Sequence, residues 1–313
     1  MSSATEIFQT LALVGNDRDP RVVESMQVLA AHLHSRGCRV MVDAGCSVDF
    51  GELAVERHPE DQLALLADLL VAIGGDGTML HAARLALPRA TPVVGVNRGR
   101  LGFLADIGIA EMRERLDEVL AGQYVRDRRA MLQATLQPPG SAADTLSDPG
   151  APSLGGRALN DVVLQKWQTG RMLDVETWID GRYVNTHGGD GIVVATATGS
   201  TAYALSCGGP ILYPELDALV LAPICPHTLS DRPIVVRGTS TVELRLLARA
   251  DTQAQVLCDG IPLGELAPGG RLVIQPAPEH VMLLHPADHD YYRILRSKLR
   301  WGRGDRAPDE CSD

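Results

Sequence analysis

Aromatic residues are scarce in this chain: Phe, Tyr and Trp together make up 4% of its 313 residues. The core must therefore be filled mainly by Val, Leu, Ile and Ala, which is typical of a parallel sheet covered by helices. The six cysteines contain no Cys-x-x-Cys pair, so the sequence indicates neither a zinc site nor a disulfide framework. We expect free thiols in a reducing compartment.

Long apolar runs and basic clusters are also missing. The apolar run Leu63 to Ile73 is interrupted by Asp68, and it falls short of the roughly 18 residues that a membrane span needs. The first ten residues lack the basic start and apolar segment of a secretory signal. The net charge is −10, without the basic stripe that binds nucleic acid. We therefore expect a cytoplasmic protein with neither membrane nor nucleic-acid partners.

The first part of the chain alternates short apolar runs with helical patterns. Because such alternation builds β-α-β units, we predict an α/β domain with a parallel sheet over residues 1–125. Strands are predicted at 11–14, 39–42, 69–73 and 92–96, and helices at 20–36, 59–66 (or a turn), 78–86 and 109–120.

The pattern changes near residue 125. Strand-length apolar runs with turn-rich borders predict a mostly β domain over 126–275, with one helical stretch near 200–206. Residues 138–156 are rich in Pro, Gly, Ser and Asp and are predicted to form a long exposed loop. The last segment, 276–313, contains an amphipathic basic helix that is expected to return to the first domain. The predicted strands are 131–136, 162–164, 173–179, 192–195, 234–236, 242–246 and 272–274.

The most informative motif is Gly74-Gly-Asp-Gly-Thr78, which follows the third predicted strand and precedes a helix. Ligands bind at such positions in α/β sheets. The glycines let a phosphate approach the backbone, and the helix N-terminus, which Thr78 is expected to cap, attracts an anion. Asp76 suits a base that accepts the proton of an attacking hydroxyl. An ordinary β-to-α turn is the alternative, and neither a dehydrogenase fingerprint nor a P-loop is present.

Two polar motifs lie in the predicted second domain. Asn160-Asp161 offers amide and carboxylate groups that suit ribose hydroxyls, although such a pair is also common in turns. Thr198-Gly-Ser-Thr-Ala-Tyr203 offers three hydroxyls and an aromatic ring for hydrogen bonding and stacking. A helix cap with Tyr203 in the core is the alternative for this motif.

These motifs, in this order, resemble the NAD kinase family, as do Leu101-Gly-Phe-Leu104 and the tail from Tyr291 to Gly302. Diacylglycerol and sphingosine kinases share the first motif, but the second-domain motifs are similar to those of NAD kinases in particular. The resemblance implies transfer of the γ-phosphoryl group of ATP to the 2′-hydroxyl of the adenosine ribose of NAD, giving NADP and ADP. It also implies a divalent metal ion, expected to be Mg²⁺, and a homodimer or homotetramer.

The resemblance further implies roles for matching residues of both predicted domains. Asp76 is the expected catalytic base, and Gly77 and His81 are expected to approach NAD. Asn160 and Asp161 are expected to hold the adenosine ribose. For His81, a position on the helix surface is an equal alternative.

Further residues of the second domain match the substrate-binding pattern of the family. Arg171 is expected to contact the substrate, with a solvated loop position as the alternative. Asp190 resembles an acid near the nicotinamide end that is often contributed across a subunit contact. The adenosine-binding run comprises Thr201, Ala202, Tyr203, Ala204, Leu205 and Ser206.

The chain departs from the family's pattern at three positions. Ala197 stands where Pro is common, Gly188 where many members have a basic residue, and Ile261 where Gln is common.

Two other functions remain open. One is a lipid or sphingoid kinase of the same superfamily, which requires an apolar or basic surface facing a membrane. The other is a non-catalytic NAD(P)-binding regulatory module, which leaves the carboxylate of Asp76 unexplained.

Overall fold

A computed structural model describes residues 8–99, 102–140, 154–167, 172–248 and 252–300. The helices, numbered along the chain, are α1 (Pro20–Ser35), α2 (Glu60–Leu66), α3 (Asp76–Ala86), α4 (Met112–Leu120), α5 (Tyr203–Ser206) and α6 (Tyr291–Leu299). The strands are β1 (Thr10–Gly15), β2 (Arg39–Asp43), β3 (Val55–His58), β4 (Leu69–Gly74), β5 (Val93–Asn97), β6 (Ile107–Gly108), β7 (Tyr124–Gln137), β8 (Leu154–Ala158), β9 (Asp161–Lys166), β10 (Leu173–Ile179), β11 (Arg182–Gly189), β12 (Gly191–Thr196), β13 (Ala218–Ile224), β14 (Ile234–Arg237), β15 (Val242–Leu246), β16 (Ala254–Cys258), β17 (Ile261–Leu266) and β18 (Arg271–Pro286).

The chain forms two compact units. Unit 1 comprises residues 1–128 and 281–313, and unit 2 comprises residues 129–280. The chain therefore returns to unit 1 within β18, and α6 belongs to unit 1. The predicted domain limits at 125 and 276 stay predictions. None of the helices in the described part of the chain is long and apolar enough to cross a membrane.

Unit 1 is an α/β unit built on a parallel sheet. Its strands run in the order β5, β4, β1, β2, β3, and the end of β18 pairs with β5 in the same parallel sense. β1, β4 and β5 are almost entirely buried, so both faces of these strands are apolar and no alternation is seen. The helix α1 begins after the N-cap Asp19 and buries the stripe Val22, Met26, Leu29 and Leu33.

Unit 2 is mostly antiparallel. One sheet has the strand order β14, β13, β12, β9, β16, β17. In a second set of strands, β11 pairs with β10, β10 with β15, and β15 with β18, each time antiparallel. The main core of the unit consists of Leu, Val, Ile and Ala with one Cys. The predicted fold class, an α/β first domain followed by a mostly β second one, is confirmed, as is a core nearly without aromatic side chains.

Several predicted boundaries are wrong. The helix α3 begins at Asp76, with Gly75 as its N-cap, so Thr78 lies in the first turn and does not cap it. Part of the predicted 138–156 loop belongs to β8, while residues 141–153 lie outside the described residues. The strand predicted at 272–274 extends over 16 residues. The strands β3, β6, β11, β13, β16 and β17 were not predicted. Pro interrupts β13, Pro and Gly interrupt β17, and the largely exposed β11 ends in two glycines and has no apolar alternation.

Candidate active site

The carboxylate of Asp76 is held at the start of α3 by the loop that follows β5. Its two oxygens, Oδ2 and Oδ1, accept hydrogen bonds from the backbone N–H groups of Phe103 (3.1 Å) and Leu104 (3.0 Å). A Cβ atom on Gly102 would collide with this carboxylate, so Gly is required there. This contact explains Gly102-Phe-Leu104 of the motif, whose first residue, Leu101, lies outside the described residues: the backbone orients Asp76, and each carboxylate oxygen keeps a free lone pair for a further partner.

A cleft of about 390 Å³ opens in unit 1 beside the N-terminus of α3. Gly77 and His81, two of the predicted site residues, line it. Cβ atoms on Gly75 and Gly77 would meet nothing within 4 Å, which leaves the backbone open to a ligand. His81 is partly exposed and its Nε2 lies 2.7 Å from Oε1 of Glu60. The cleft lies at the carboxyl ends of β1 and β2, where α/β sheets bind ligands.

In unit 2, Asp259 holds the Asn160-Asp161 motif. Its carboxylate accepts hydrogen bonds from the backbone N–H groups of Leu159 (2.9 Å), Asn160 (2.7 Å) and Asp161 (3.2 Å). Asp259 has a φ of 49° in an Asp-Gly turn between β16 and β17. Sequence reasoning missed this residue, although Asp-Gly between two apolar runs is a hairpin signal.

The side chain of Asp161 is buried next to that of Asp259. Burial, followed by the charge of Asp259, raises the pKa of Asp161 to about 7, against a hydrogen bond from the backbone N–H of Tyr203 that lowers it. The three backbone donors on Asp259 stabilise its negative charge, which is the charge that disfavours ionisation of Asp161. The structure therefore brings Asp161, Asn160 and Tyr203 together, and it makes the charge of Asp161 dependent on pH near neutrality.

This burial predicts how the stability of the protein depends on pH. Between the ordinary Asp value of 3.8 and about 7, folded Asp161 holds a proton that the unfolded chain has lost. The free energy of unfolding should therefore fall as the pH rises from about 4 to about 7, and level off above it. An Asn side chain does not ionise, so the Asp161→Asn variant should not lose stability in this way. We expect the free energy of unfolding of the variant, relative to that of the wild type, to increase from pH 5 to pH 8 by roughly 1–4 kcal/mol. Urea unfolding of both ligand-free proteins over this pH range measures the two free energies of unfolding. If both depend on pH in the same way, the pKa of Asp161 is not raised by burial beside Asp259.

The hydroxyl groups of the Thr198 to Tyr203 motif are largely used by the fold. Ser200 is fully buried, and its hydroxyl donates to the carbonyl of Ala197 (2.6 Å) and accepts from the N–H of Leu212 (3.0 Å). The hydroxyl of Thr198 accepts from the buried guanidinium of Arg129 (3.1 Å). The prediction that three hydroxyls face a ligand is therefore wrong, because two of them fasten the turn. Thr201 remains half-buried, with its hydroxyl 3.3 Å from the carbonyl of Thr198.

The short 3₁₀ turn and α5 place the predicted adenosine-binding run beside Asn160. A Cβ on Gly199 would collide with the Asn160 backbone, so glycine permits this close approach. Tyr203 is 39% exposed, so it is not a core residue and its ring is free to stack on a base. Ser206 is exposed, Ala202 and Leu205 are half-buried, and Ala204 packs into the core of unit 2.

Asp190 connects β11 to β12 and pairs with Lys166, whose Nζ lies 2.6 Å from Oδ1 of Asp190. Lys166 was not predicted as a site residue. It supplies a basic group beside Asp190, whereas Gly188, at the position where many family members have a basic residue, supplies none. The neighbouring His187 is buried, with Nδ1 2.8 Å from Oδ2 of Asp231, so its side chain serves the fold. Arg171 lies outside the described residues.

Comparisons with known proteins cover both units. Residues 11–124 match the family model of the ATP-NAD kinase N-terminal domain, and residues 159–285 match that of the ATP-NAD kinase C-terminal domain. An NAD kinase of Nitrosococcus oceani is 42% identical over 296 residues, which cover 95% of this chain and 98% of the relative. An NAD kinase of Methylococcus capsulatus is 41% identical over 294 residues, covering 94% and 98%.

Solved structures resemble the fold. A yeast NADH kinase complexed with NADH superposes with a TM-score of 0.83 at 25% identity, covering 96% of this chain and 90% of that one. An NAD kinase from Archaeoglobus fulgidus in complex with ATP superposes with a TM-score of 0.67 at 25% identity, covering 93% and 98%.

An α/β unit with a carboxylate at a glycine-rich helix start, followed by a β unit with the matching polar motifs, defines a phosphotransferase with an alcohol group as acceptor. The chain belongs to the NAD kinase family. ATP is the phosphoryl donor that the family models indicate.

Proposed function

We propose that the chain transfers the γ-phosphoryl group of ATP to the 2′-hydroxyl of the adenosine ribose of NAD, with Asp76 as the catalytic base. The bond from the ribose oxygen to the γ-phosphorus forms, the bond from that phosphorus to the bridging oxygen of ADP breaks, and the hydroxyl proton passes to Asp76. Orientation of the Asp76 carboxylate by two backbone N–H groups carries this proposal. A base held in place contributes typically ~10²–10⁴-fold to such a reaction.

Unit 1 supplies the helix N-terminus and the cleft. The free N–H groups in the first turn of α3 favour the negative charge of the donor phosphates. Gly77 and His81, which line the cleft, are proposed to approach NAD. Because His81 is hydrogen-bonded to Glu60, its ring is oriented by that carboxylate.

Unit 2 supplies the binding groups for the nucleoside. Asn160 and Asp161 are proposed to hold the ribose hydroxyls, on a backbone that Asp259 fixes. The exposed ring of Tyr203 is proposed to contact the adenine, together with Thr201, Ala202, Ala204, Leu205 and Ser206. Asp190 and Arg171 are proposed to contact the remainder of the substrate, the first of them with its charge balanced by Lys166.

A Mg²⁺ ion fits the donor set of the unit 1 cleft. Three carboxylates line it, those of Asp17, Asp43 and Glu60, and hard oxygen ligands suit Mg²⁺. In the described part of the chain these three do not form a compact ligand group, so one or two of them would hold the ion together with the phosphates of ATP. When bound, the ion neutralises charge on the donor phosphates.

A homodimer or homotetramer is proposed because unit 2 exposes apolar side chains on the edge strands of two sheets. Val184 of β11 and Val235 of β14 line the same shallow surface and are both more than 40% exposed. Such patches mark protein contacts, and sedimentation of the full chain measures the oligomeric state.

The proposed compartment is the cytoplasm, since the five described cysteines are free thiols.

The proposed reaction is tested by mixing the purified protein with NAD, ATP and Mg²⁺. A dehydrogenase specific for NADP measures the product. We expect NADP to form at a rate that depends on ATP and on Mg²⁺. Binding of NAD without any ATP-dependent NADP would point to a regulatory module instead, and phosphorylation of a lipid or sphingoid base without NADP would point to the other branch of the superfamily.

A further inference from the structure

Three side chains of types that can bind a metal ion meet in unit 1, at a place that the proposed reaction does not use. The Nδ1 atoms of His285 and His289 lie 3.0 Å and 2.7 Å from the same atom, Oδ2 of Asp106. The two imidazole rings stack with their centroids 4.0 Å apart. One ligand atom of each residue lies within 4.8 Å of the other two.

This cluster is shielded from solvent. The side chains of His285, Asp106 and His289 are 1%, 8% and 14% exposed. Oδ1 of Asp106 is buried and finds no hydrogen-bond partner in the described part of the chain.

We propose that Asp106, His285 and His289 form a binding site for a divalent transition-metal ion of the Zn²⁺ class. Tetrahedral Zn²⁺, with bonds of ~2.0–2.2 Å, separates its ligand atoms by about 3.3 Å. The Nδ1–Oδ2 contacts of 3.0 and 2.7 Å need to open by only a few tenths of an ångström. Each imidazole binds the ion in its neutral form, so the Nδ1 protons leave to solvent or move to Nε2.

The surroundings of His285 support this assignment. Its other ring nitrogen, Nε2, lies 3.3 Å from Oδ2 of Asp127, an ion-pair distance without hydrogen-bond geometry, so a small rotation of the carboxylate is needed for it to accept from the ring N–H. A carboxylate that accepts the second N–H of a ligating His is the usual outer partner in such sites, and it fixes which nitrogen faces the metal. Two imidazoles and one carboxylate suit Zn²⁺ better than Mg²⁺, which prefers oxygen ligands. The fourth position is left for a water molecule or for Oδ1 of Asp106.

The site adjoins the loop that orients Asp76. Asp106 follows Leu104, whose N–H group donates to the Asp76 carboxylate, by two residues. The side-chain amide of Asn97 also donates to the carbonyl of Ala105 (3.2 Å) within this loop. A bound ion would therefore fix the far end of the same short segment, as a structural ion and not as part of the phosphoryl transfer.

The test is a Co²⁺ titration of the metal-free, untagged, full-length protein in excess Mg²⁺, which occupies oxygen-rich sites. We expect about one equivalent of Co²⁺ to give the visible absorption of a four-coordinate site, and Zn²⁺ to displace it. The His289→Gln variant should lose this absorption. His58→Gln is the matched control, because His58 pairs with Glu56 in the same unit (3.2 Å) but lies in no such cluster among the described residues; it should keep the absorption. Asp127→Asn should weaken binding about 10–100-fold.

Either of two results would overturn the proposal. One is a wild-type protein that gives only the weak spectrum of octahedral Co²⁺. The other is a folded His289→Gln variant, checked by circular dichroism, that keeps the wild-type absorption; the cluster would then be a hydrogen-bonded network alone. If His289→Gln does not fold, Asp106→Asn decides, because it replaces one ligand by an amide of nearly the same shape, and an unchanged Co²⁺ affinity in that variant would reject the site.

Discussion

Replacing Asp76 with Asn is expected to lower kcat by ~10²–10⁴-fold, the usual contribution of a general base. The amide has nearly the same shape but cannot accept the proton of the 2′-hydroxyl. Because the carboxylate is proposed to act on the reacting hydroxyl and not to hold the nucleotide, the KM for NAD should change little. Initial rates over a range of NAD concentrations, at saturating ATP and Mg²⁺, separate the two constants.

A matched control for this variant is Asp68→Asn. The carboxylate of Asp68 also accepts two backbone N–H groups in unit 1, from Gln9 (3.1 Å) and Thr10 (3.0 Å), but it lies outside the motif. Both bonds go to Oδ2, so the amide oxygen of Asn can keep them; the variant removes a carboxylate charge elsewhere in unit 1 and should keep its kcat. Near-normal turnover in Asp76→Asn, or an equal loss in Asp68→Asn, would remove Asp76 from its catalytic role and leave it as the residue that orders the loop.

The second large effect is expected for Asp259→Ala, which removes the acceptor for three backbone N–H groups at the Asn160-Asp161 motif. An unsatisfied buried donor costs about 1–3 kcal/mol, so the free energy of unfolding should fall by roughly 3 kcal/mol or more. The motif loses its fixed backbone, and the KM for NAD should rise by on the order of tenfold, about 1.4 kcal/mol in binding. Urea unfolding and steady-state kinetics measure the two effects.

Asp180→Ala is the matched control for Asp259→Ala. It distinguishes the effect of releasing the Asn160-Asp161 backbone from the loss of stability that any such Asp-to-Ala change in a turn causes. Asp180 is also the Asp of an Asp-Gly turn in unit 2 with a φ of 49°, and its carboxylate accepts from the N–H of Thr241 (2.9 Å). Both variants place Ala in the left-handed region and so share that cost. We expect Asp180→Ala to lower stability while the KM for NAD holds. An unchanged KM in Asp259→Ala would mean that the motif does not hold the ribose.

Much of unit 1 was predictable because its signals are local. The strands β1, β4 and β5 are unbroken apolar runs, and α1 has an apolar stripe between Asp19 and Gly37. Unit 2 was harder to predict. The strand β13 contains Pro223 and β17 contains Pro262 and Gly264, residues that lower strand propensity. Pairing with neighbouring strands overrides that propensity, and neighbours are not visible in a local window.

The candidate site divides in the same way. Asp76 and Asn160 were found because glycines or polar pairs surround them within a few residues. Asp259 is 99 residues from Asn160 and His285 is 179 residues from Asp106. No local pattern announces contacts at such separations, because the residues meet only when strands pair. Lys166 was missed for the same reason, although its distance from Asp190 is only 24 residues.

By itself, the sequence determined the alternation of strands and helices in the first unit, the aliphatic core, and the order of motifs that is similar to the NAD kinase family. These follow from residue type and short spacing, which an unfolded chain already carries. The tertiary structure alone decided which carboxylate each backbone donor meets, that burial and the nearby Asp259 raise the pKa of Asp161, and that Asp106 shares its oxygen with two imidazoles. Those properties depend on burial and on charges brought close by folding, since desolvation and Coulomb interaction act through space and not along the chain.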